Sequence, residues 1–125
     1  MPNAGRLIPI YISRGDVGGF LQFPNIFNRD GEWIGWVTSD QQVYSVHGQY
    51  VGWLTKDPRI LRKTSSGYLK PHLSPPPEPE PIKPPATLPL APMMSELPAG
   101  TFDVLEDIPD LLPPKDFGDL REDMD

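Results

Sequence analysis

Two histidines and seventeen carboxylates are the groups with which this 125-residue chain could perform acid–base or metal chemistry. His47 lies in a turn-like stretch and His72 at the start of a proline-rich one, and neither has the HxxxH spacing of a metal site. Neither has a Ser and an Asp in the order of a catalytic triad. The absence of cysteine excludes disulfides, thiolate zinc sites and a thiol nucleophile. We therefore predict a protein that is not an enzyme, with no metal and no cofactor.

A basic cluster, Arg59, Arg62 and Lys63 in "PRILRK", could contact phosphates, with Lys56 and Lys70 nearby. Residues 1–70 carry eight basic and five acidic side chains, a balance of +3 that is weak for a nucleic-acid-binding surface. We expect a solvated final turn and no nucleic-acid partner. A docking site for the acidic C-terminal part of the chain is the alternative.

Two tryptophans, Trp36 and Trp53, occupy the same place in "GEWIGWVTSD" and "GQYVGWLTKD", seventeen residues apart. Repeated aromatic rings could stack on glycans or other small ligands. A buried aromatic side chain, however, removes about 150–250 Å² from water, and a small domain has few other large side chains with which to build a core. We predict that both rings belong to the core and keep ligand binding as the alternative.

The elements that hold these residues are repeats of a short hairpin. "GDVGGFL", "GEWIGWV" and "GQYVGWL" share two glycines, an aromatic residue and an aliphatic residue, and Ile10, Ile26, Val43 and Ile60 stand at intervals of 16 or 17 residues. A unit this short cannot bury an apolar face alone, so the units must stack or close on one another. Glycine-containing turns between β-branched or aromatic runs predict hairpins. The fold class is therefore all-β, with a fourth unit whose second strand we place at Gly67–Leu69.

The stretch "DGEWIGWVTSDQQVYSVHGQYVGWLTKDPRILRK" resembles the four-fold beta-flower domain, a small bacterial family, and the resemblance covers residues 6–70. It implies four β-hairpin petals around a pseudo-four-fold axis. It implies no catalytic residues and no cofactor.

A change of composition near Lys70 divides the chain into a β-hairpin repeat domain at residues 1–70 and a tail at residues 71–125. The tail has fourteen of the eighteen prolines and twelve acids against three bases, so we predict that it is disordered. "PPPEPEPIKPP" is typical of polyproline II. Beyond it, apolar residues alternate with acids, which favours either a segment that binds a protein partner or a solubilising tail. The candidate partner-binding residues are Phe102, Leu105, Ile108, Leu111 and Leu112.

The second strands of the repeats are apolar at every position, whereas a sheet with one wet face alternates polar and apolar residues. Strict alternation places Ile34 and Trp36 on one face and Trp33 and Val37 on the other. A single small domain has room inside for one of these sets, so we expect the other to meet a second copy in a homodimer. The candidate self-association residues are Trp33, Val37, Tyr50 and Leu54.

The function that we predict from these features is a non-enzymatic interaction module, in which a self-assembling β domain presents its tail to a protein partner. The alternative is a module that binds a small ligand or glycan through the repeated aromatic residues. The chain has no leader-like apolar run near its start and no apolar stretch long enough to span a membrane. We therefore expect a cytoplasmic protein with no membrane partner.

Overall fold

The computed structural model describes residues 6–65 and 70–114. One eight-stranded antiparallel sheet, curled into a half-barrel, follows the order of the chain. The all-β repeat of hairpins is confirmed. The strands are β1 Ile8–Tyr11, β2 Val17–Gln22, β3 Asn25–Asn28, β4 Trp33–Val37, β5 Gln42–Ser45, β6 Tyr50–Leu54, β7 Ile60–Lys63 and β8 Thr101–Asp103. A short helix α1, Val104–Asp107, and a 3₁₀ turn, Pro109–Leu111, follow β8.

The turns of the first three hairpins repeat one geometry around a glycine. Gly15, Gly31 and Gly48 have φ values of 106°, 87° and 86°, a region that L-residues with a Cβ rarely adopt. Each glycine N–H donates to the carbonyl of the residue three places before it, at 2.9–3.1 Å. Glycine, which adopts a positive φ without strain, is therefore the physical reason that a hairpin turn forms at these three places.

A β-bulge recurs in the second strand of these hairpins, one residue before the mid-strand glycine. The register shifts there, so that Gly18, Ile34 and Val51 are the extra residues. Because a bulge shifts the alternation by one place, Trp33 and Trp36 lie on the same face of β4. The prediction of strict alternation was wrong at this point.

The mid-strand glycines allow the next hairpin to approach closely. A Cβ at Gly19 would lie 2.5 Å from the Phe27 carbonyl oxygen, and one at Gly35 would lie 2.5 Å from the Tyr44 carbonyl oxygen. A Cβ at Gly52 would collide with the Leu61 carbonyl oxygen. The three carbonyls stand 17 residues apart, so the sequence repeat is also a repeat of backbone contacts.

The fourth hairpin is closed by a distant segment. β7 pairs with β8, which places Leu61 opposite Asp103 and Lys63 opposite Thr101. The predicted second strand at Gly67–Leu69 lies outside the described residues. The predicted boundary at residues 70/71 therefore does not separate the sheet from the tail, and residues 101–112 are part of the β domain. The physical reason is that β7 needs a strand partner and the aliphatic side chains beneath it need a cover.

The sheet has two apolar faces, and the C-terminal half of the chain covers both. Val104, Leu112 and the partly buried Leu105 pack on one of them, which we call the aliphatic face. Residues 70–98, which we call the belt, cross the other, which we call the aromatic face, with Ile82, Leu88, Ala91 and Met94 packed against it. The aliphatic face comprises Ile10, Leu21, Ile26, Ile34, Val37, Val43, Val51, Leu54 and Ile60. The aromatic face comprises Tyr11, Val17, Phe20, Phe27, Trp33, Trp36, Tyr44 and Val46.

The belt passes the hairpins in the reverse of their chain order. Leu73 N donates to Gly48 O and Ile82 N donates to Gly31 O, both at 3.0 Å. Further along, the Tyr11 hydroxyl donates to Leu90 O at 3.4 Å. The belt thus replaces the tight turn of the fourth hairpin with a long excursion across the sheet.

Candidate ligand-binding cleft

A cleft of about 330 Å³ opens where β5, β6 and β7 lie side by side. Neighbouring strands project alternate side chains to the same face, and here that geometry brings polar, aromatic and basic side chains together. Five of the lining residues lie on these three strands, and Ser65 and Lys70 lie beyond the end of β7. The described residues that line it are Gln42, Tyr50, Trp53, Arg62, Lys63, Ser65 and Lys70.

Two aromatic rings form the apolar part of this cleft. Tyr50 meets the edge of Tyr44 with ring centroids 5.6 Å apart, and Tyr44 stacks on Trp36 at 5.0 Å. The Tyr50 hydroxyl donates to Gln42 Oε1 at 3.1 Å. Trp53 is half-buried, unlike its counterpart Trp36. The ring of Tyr50 is therefore held in place, and Trp53 offers ring surface to the cleft.

Three basic side chains line the cleft together with these rings. Arg62 Nη1 donates to Tyr50 O at 3.3 Å and to Val51 O at 2.9 Å, which fixes the guanidinium beside β6. Lys70 Nζ lies 5.4 Å from the centroid of the Tyr50 ring, a cation–π distance. The side chain of Lys63 is exposed. No carboxylate is among the described lining residues, so the cleft is electropositive.

One carboxylate lies near the rim of the cleft. A hydrogen bond from the Thr38 hydroxyl lowers the pKa of Asp40, and the charge of Lys70 contributes in the same direction. Asp40 is fully exposed, so water screens its charge. It therefore offsets little of the positive field inside the cleft.

The family described as 4-fold beta flower protein matches residues 8–102, about three quarters of the chain. The chain belongs to this family. The match extends from β1 into β8, so it includes the belt and the strand that closes the fourth hairpin. Comparison with curated proteins and with solved structures yields no match.

Arg59 is not part of the basic cleft of this beta flower, although the sequence groups it with Arg62 and Lys63. Its side chain is only 3% exposed and is paired with Asp57, with Nη2–Oδ2 at 2.7 Å. A charge buried in this way must be neutralised by partners, and Arg59 is not among the residues that line the cleft. The predicted basic patch is corrected to Arg62, Lys63 and Lys70.

Arg59 instead joins the first petal to the fourth through a buried polar network that sequence reasoning missed. Arg59 Nη1 donates to Ser13 Oγ at 3.0 Å, and Ser13 N and Oγ both donate to Asp103 Oδ2 at 2.8 Å. Asp103 also caps α1 by accepting from Glu106 N. Charged residues that lie about 40 residues apart in sequence give no local signal of such a network.

The carboxylates of this network have opposite pKa shifts. Burial raises the pKa of Asp103, and the hydrogen bonds from Ser13 and Glu106 N offset only part of that effect. Burial also acts to raise the pKa of Asp57, but hydrogen bonds from Arg59 and Thr55 outweigh it and the pKa is lowered. The folded protein therefore stabilises the charged form of Asp57 and destabilises the charged form of Asp103.

The candidate partner-binding residues of the tail lie mostly on the flower itself. Leu112 is buried in the aliphatic face, and Phe102, Leu105 and Leu111 pack against the same cluster. Ile108 alone of the five is exposed, at 43%. For four of these residues the apolar side chain is used by the chain's own core.

The candidate self-association residues are also covered by their own chain. Val37 and Leu54 are buried in the aliphatic face and Trp33 in the aromatic face. Tyr50 is half-buried and lines the cleft. The reason is that the C-terminal half of the same chain covers the second apolar face, which we expected a second copy to cover.

The histidines lie apart from the cleft. His47 is at the rim of a second cavity of about 700 Å³, together with Arg14, Arg29 and Asp30 from the other hairpin turns. His72 is exposed at the start of the belt. Within residues 6–65 and 70–114, no group of three or more His, Asp or Glu side chains could hold a metal ion. Across the same ranges, no helix has the length and hydropathy needed to cross a bilayer.

Proposed function

We propose that this beta flower is a binding module, not an enzyme, and that its cleft takes a small anionic molecule with a planar ring. The observation that carries the proposal is the grouping of Arg62, Lys63 and Lys70 around Tyr50 and Trp53, without a carboxylate among the described lining residues. The chain has a net charge of −6, yet three of its eleven basic residues line this one cleft. This is the ligand-binding alternative of the sequence reasoning, with an anionic ligand in place of a neutral glycan.

The chemistry of the cleft suits such a ligand in two ways. Guanidinium and ammonium groups bind phosphate or carboxylate by charge-assisted hydrogen bonds. A planar ring can stack on the half-buried Trp53, since aromatic pairs gain energy beyond the area they bury. A volume of about 330 Å³ lies within the usual range for small-molecule sites.

Isothermal titration calorimetry with adenosine monophosphate, adenosine and inorganic phosphate tests the proposal. The nucleotide carries both a ring and an anion, so we expect it to bind more tightly than either part alone. Lys63→Gln should weaken binding by about fivefold, since an exposed charge contact contributes up to about 1 kcal/mol. Trp53→Leu should remove the advantage of the nucleotide over phosphate.

Lys83→Gln is the matched control, because Lys83 is an exposed lysine of the belt that does not line the cleft. It makes the same change of charge and should leave the affinity unchanged. Equal losses in the two lysine variants would mean that the overall charge governs binding, and the cleft would not be the site. Failure of all three compounds to bind would contradict the ligand class.

The protein-partner function predicted for the tail stays a prediction. Ile108 is exposed among the described candidate residues. Residues 115–125 lie outside the described residues.

A further inference from the structure

The belt contacts the sheet with a three-residue period. From Pro76 to Leu97 every third residue is half-buried, except Pro85, and among the residues between them only Pro84 is not exposed. The exception coincides with a bend at residues 86–87. A polyproline II helix has three residues per turn, and the belt is proline-rich with no helix or strand assigned within it. The period of burial along the belt is thus that of a polyproline II helix, and it places one side of the belt, which we call the inner ridge, toward the sheet.

The surface under this inner ridge is the aromatic face. Leu88, Ala91 and Met94 stand at successive turns of the ridge and pack against it. Aromatic-lined grooves are the surfaces with which proteins recognise polyproline II segments, because such a segment is ordered before it binds and displays its side chains in ridges. Within this one chain, a proline-rich segment with a three-residue period thus packs on an aromatic surface.

Polar contacts along the belt are directed at its backbone. Besides the bonds from Leu73 N and Ile82 N to turn carbonyls, the Tyr11 hydroxyl donates to Leu90 O and Arg59 Nη2 donates to Ser95 O at 2.9 Å. A polyproline II segment makes no internal hydrogen bonds, so any segment of that conformation offers carbonyls to Tyr11 and Arg59. These contacts do not depend on the side chains of the belt.

The belt is less buried than the face beneath it. None of residues 71–98 is fully buried, whereas every member of the aromatic face is at most 9% exposed. Leu90 and Met93, at 93% and 100% exposure, lie on the solvent-facing side of the belt, which we call the outer ridge. Their side chains are not among those packed on the aromatic face. A segment seated by half-buried side chains and a few backbone bonds is the part of the molecule that can be exchanged.

We propose that the aromatic face is a binding site for polyproline II peptides and that the belt is its resident occupant. The ligand in trans is a proline-rich segment of another protein with an apolar side chain at every third position. The tethered belt competes with it at an effective concentration in the millimolar range. Weakening the belt without altering the face therefore increases the affinity for such a segment. This site is distinct from the basic cleft, and neither proposal depends on the other.

The test uses the full chain and a fluorescent synthetic peptide that copies residues 76–97. Leu88→Glu places a charge on the inner ridge, and Leu90→Glu places the same charge on the outer ridge as the matched control. By fluorescence anisotropy we expect Leu88→Glu to bind the peptide at least tenfold more tightly than either the unaltered chain or Leu90→Glu. A control peptide of the same composition, with its apolar residues moved out of the three-residue register, should not bind.

A folded Leu88→Glu variant that binds the peptide no better than Leu90→Glu overturns the proposal. If Leu88→Glu fails to fold, Met94→Glu takes its place on the same ridge. If both variants fail to fold, the unaltered chain is titrated with the peptide at millimolar concentration while the indole N–H resonances of Trp33 and Trp36 are followed by NMR. Shifts with the native-order peptide alone support the proposal, and unchanged resonances overturn it.

Discussion

The neighbouring glycines Gly18 and Gly19 show that position within the bulge decides whether a side chain can replace a glycine. A Cβ at Gly18 would meet side-chain atoms, Ile12 Cγ2 at 2.8 Å and Leu105 Cδ1 at 3.3 Å. A Cβ at Gly19 would meet a backbone atom, the Phe27 carbonyl oxygen, at 2.5 Å. The other two repeats have Ile34 and Val51 at the place of Gly18 but keep a glycine at the place of Gly19. The repeat itself therefore indicates which of the two can carry a side chain.

We predict that Gly19→Ala lowers the free energy of unfolding by about 1–3 kcal/mol, the usual cost of overpacking. Gly18→Ala is the matched control and should cost less, since the corresponding bulge positions of the other repeats hold Ile34 and Val51. Chemical denaturation at constant pH measures both. Equal losses would mean that the backbone of β3 yields as easily as a side chain, and the account of the glycine repeat would fail.

Asp103 is the residue whose charge state should set the stability of the flower as a function of pH. Its pKa is raised in the folded state, so folding favours the protonated form. The stabilisation from that proton is full below the unfolded pKa, near 3.8, and is lost as the pH rises through the folded value. Asp57 acts in the opposite direction: its pKa is lowered, so its contribution is present above 3.8 and is lost as the pH falls.

We predict that Asp103→Asn removes the loss of stability that occurs as the pH rises from 4 towards neutrality. Asn keeps an acceptor for Glu106 N but carries no charge, so the variant should gain stability relative to the unaltered chain as the pH rises. Thermal unfolding at pH 4 and pH 7 for both proteins measures this difference. Parallel pH profiles would show that Asp103 is not the group responsible.

At the scale of elements, the fourth hairpin shows how far the sequence predicts this fold. The stretch Gly100-Thr101-Phe102 has the same glycine-variable-aromatic order as Gly31–Trp33 and Gly48–Tyr50, and Gly100 also has a positive φ, of 76°. This signal could have identified β8. The period of 16 or 17 residues instead predicts the missing strand near Gly67–Leu69, because a period contains no information about an insertion within a turn.

The β-bulges could not be predicted from the sequence, and they account for the error over the two faces. A bulge exists only in relation to a partner strand, so the residues Trp33-Ile34-Gly35-Trp36 are equally consistent with strict alternation. The composition of the basic cleft could be predicted only in part from the sequence. Arg62 and Lys63 could be predicted as exposed or half-exposed cations, but the burial of Arg59 depends on Ser13 and Asp103, which only the tertiary structure brings to it.

Leu112 tests whether the segment after β8 belongs to the core. It is 3% exposed, and its Cδ2 would lie 2.9 Å from a Cβ at Gly35, so it sits over the bulge of β4. We predict that Leu112→Ala costs about 2–5 kcal/mol of the free energy of unfolding, as for other buried leucines. Ile108→Ala, at a 43% exposed position of the same segment, is the control and should cost less than about 1 kcal/mol. A negligible effect at Leu112 would mean that the segment is not packed on the sheet.

At the scale of the whole molecule, the described C-terminal half is part of the β domain and not a separate tail. Strands β1 to β7 alone bury neither face of the sheet, which is why their sequence suggests a second copy. The belt covers the aromatic face, and β8 with α1 and the 3₁₀ turn covers the aliphatic face. One chain thus provides both the sheet and its two covers, and most of the described prolines and acids that suggest disorder occupy exposed positions of those covers.

This architecture predicts different behaviour for chains that end on either side of the aliphatic cover. A chain ending at Pro114 keeps every described element, so it should be monomeric and melt at the temperature of the full chain, whose mass is 14.0 kDa. A chain ending at Pro98 lacks β8 and α1, which leaves Val37 and Leu54 uncovered. Because a large apolar patch rarely stays exposed on a soluble monomer, this chain should self-associate or lose cooperative unfolding. Light scattering and thermal unfolding distinguish these outcomes. If the chain ending at Pro98 is monomeric and keeps the melting temperature of the full chain, the aliphatic cover is dispensable. If the full chain has twice the monomer mass, the predicted homodimer is favoured, formed through a surface such as that around Tyr50.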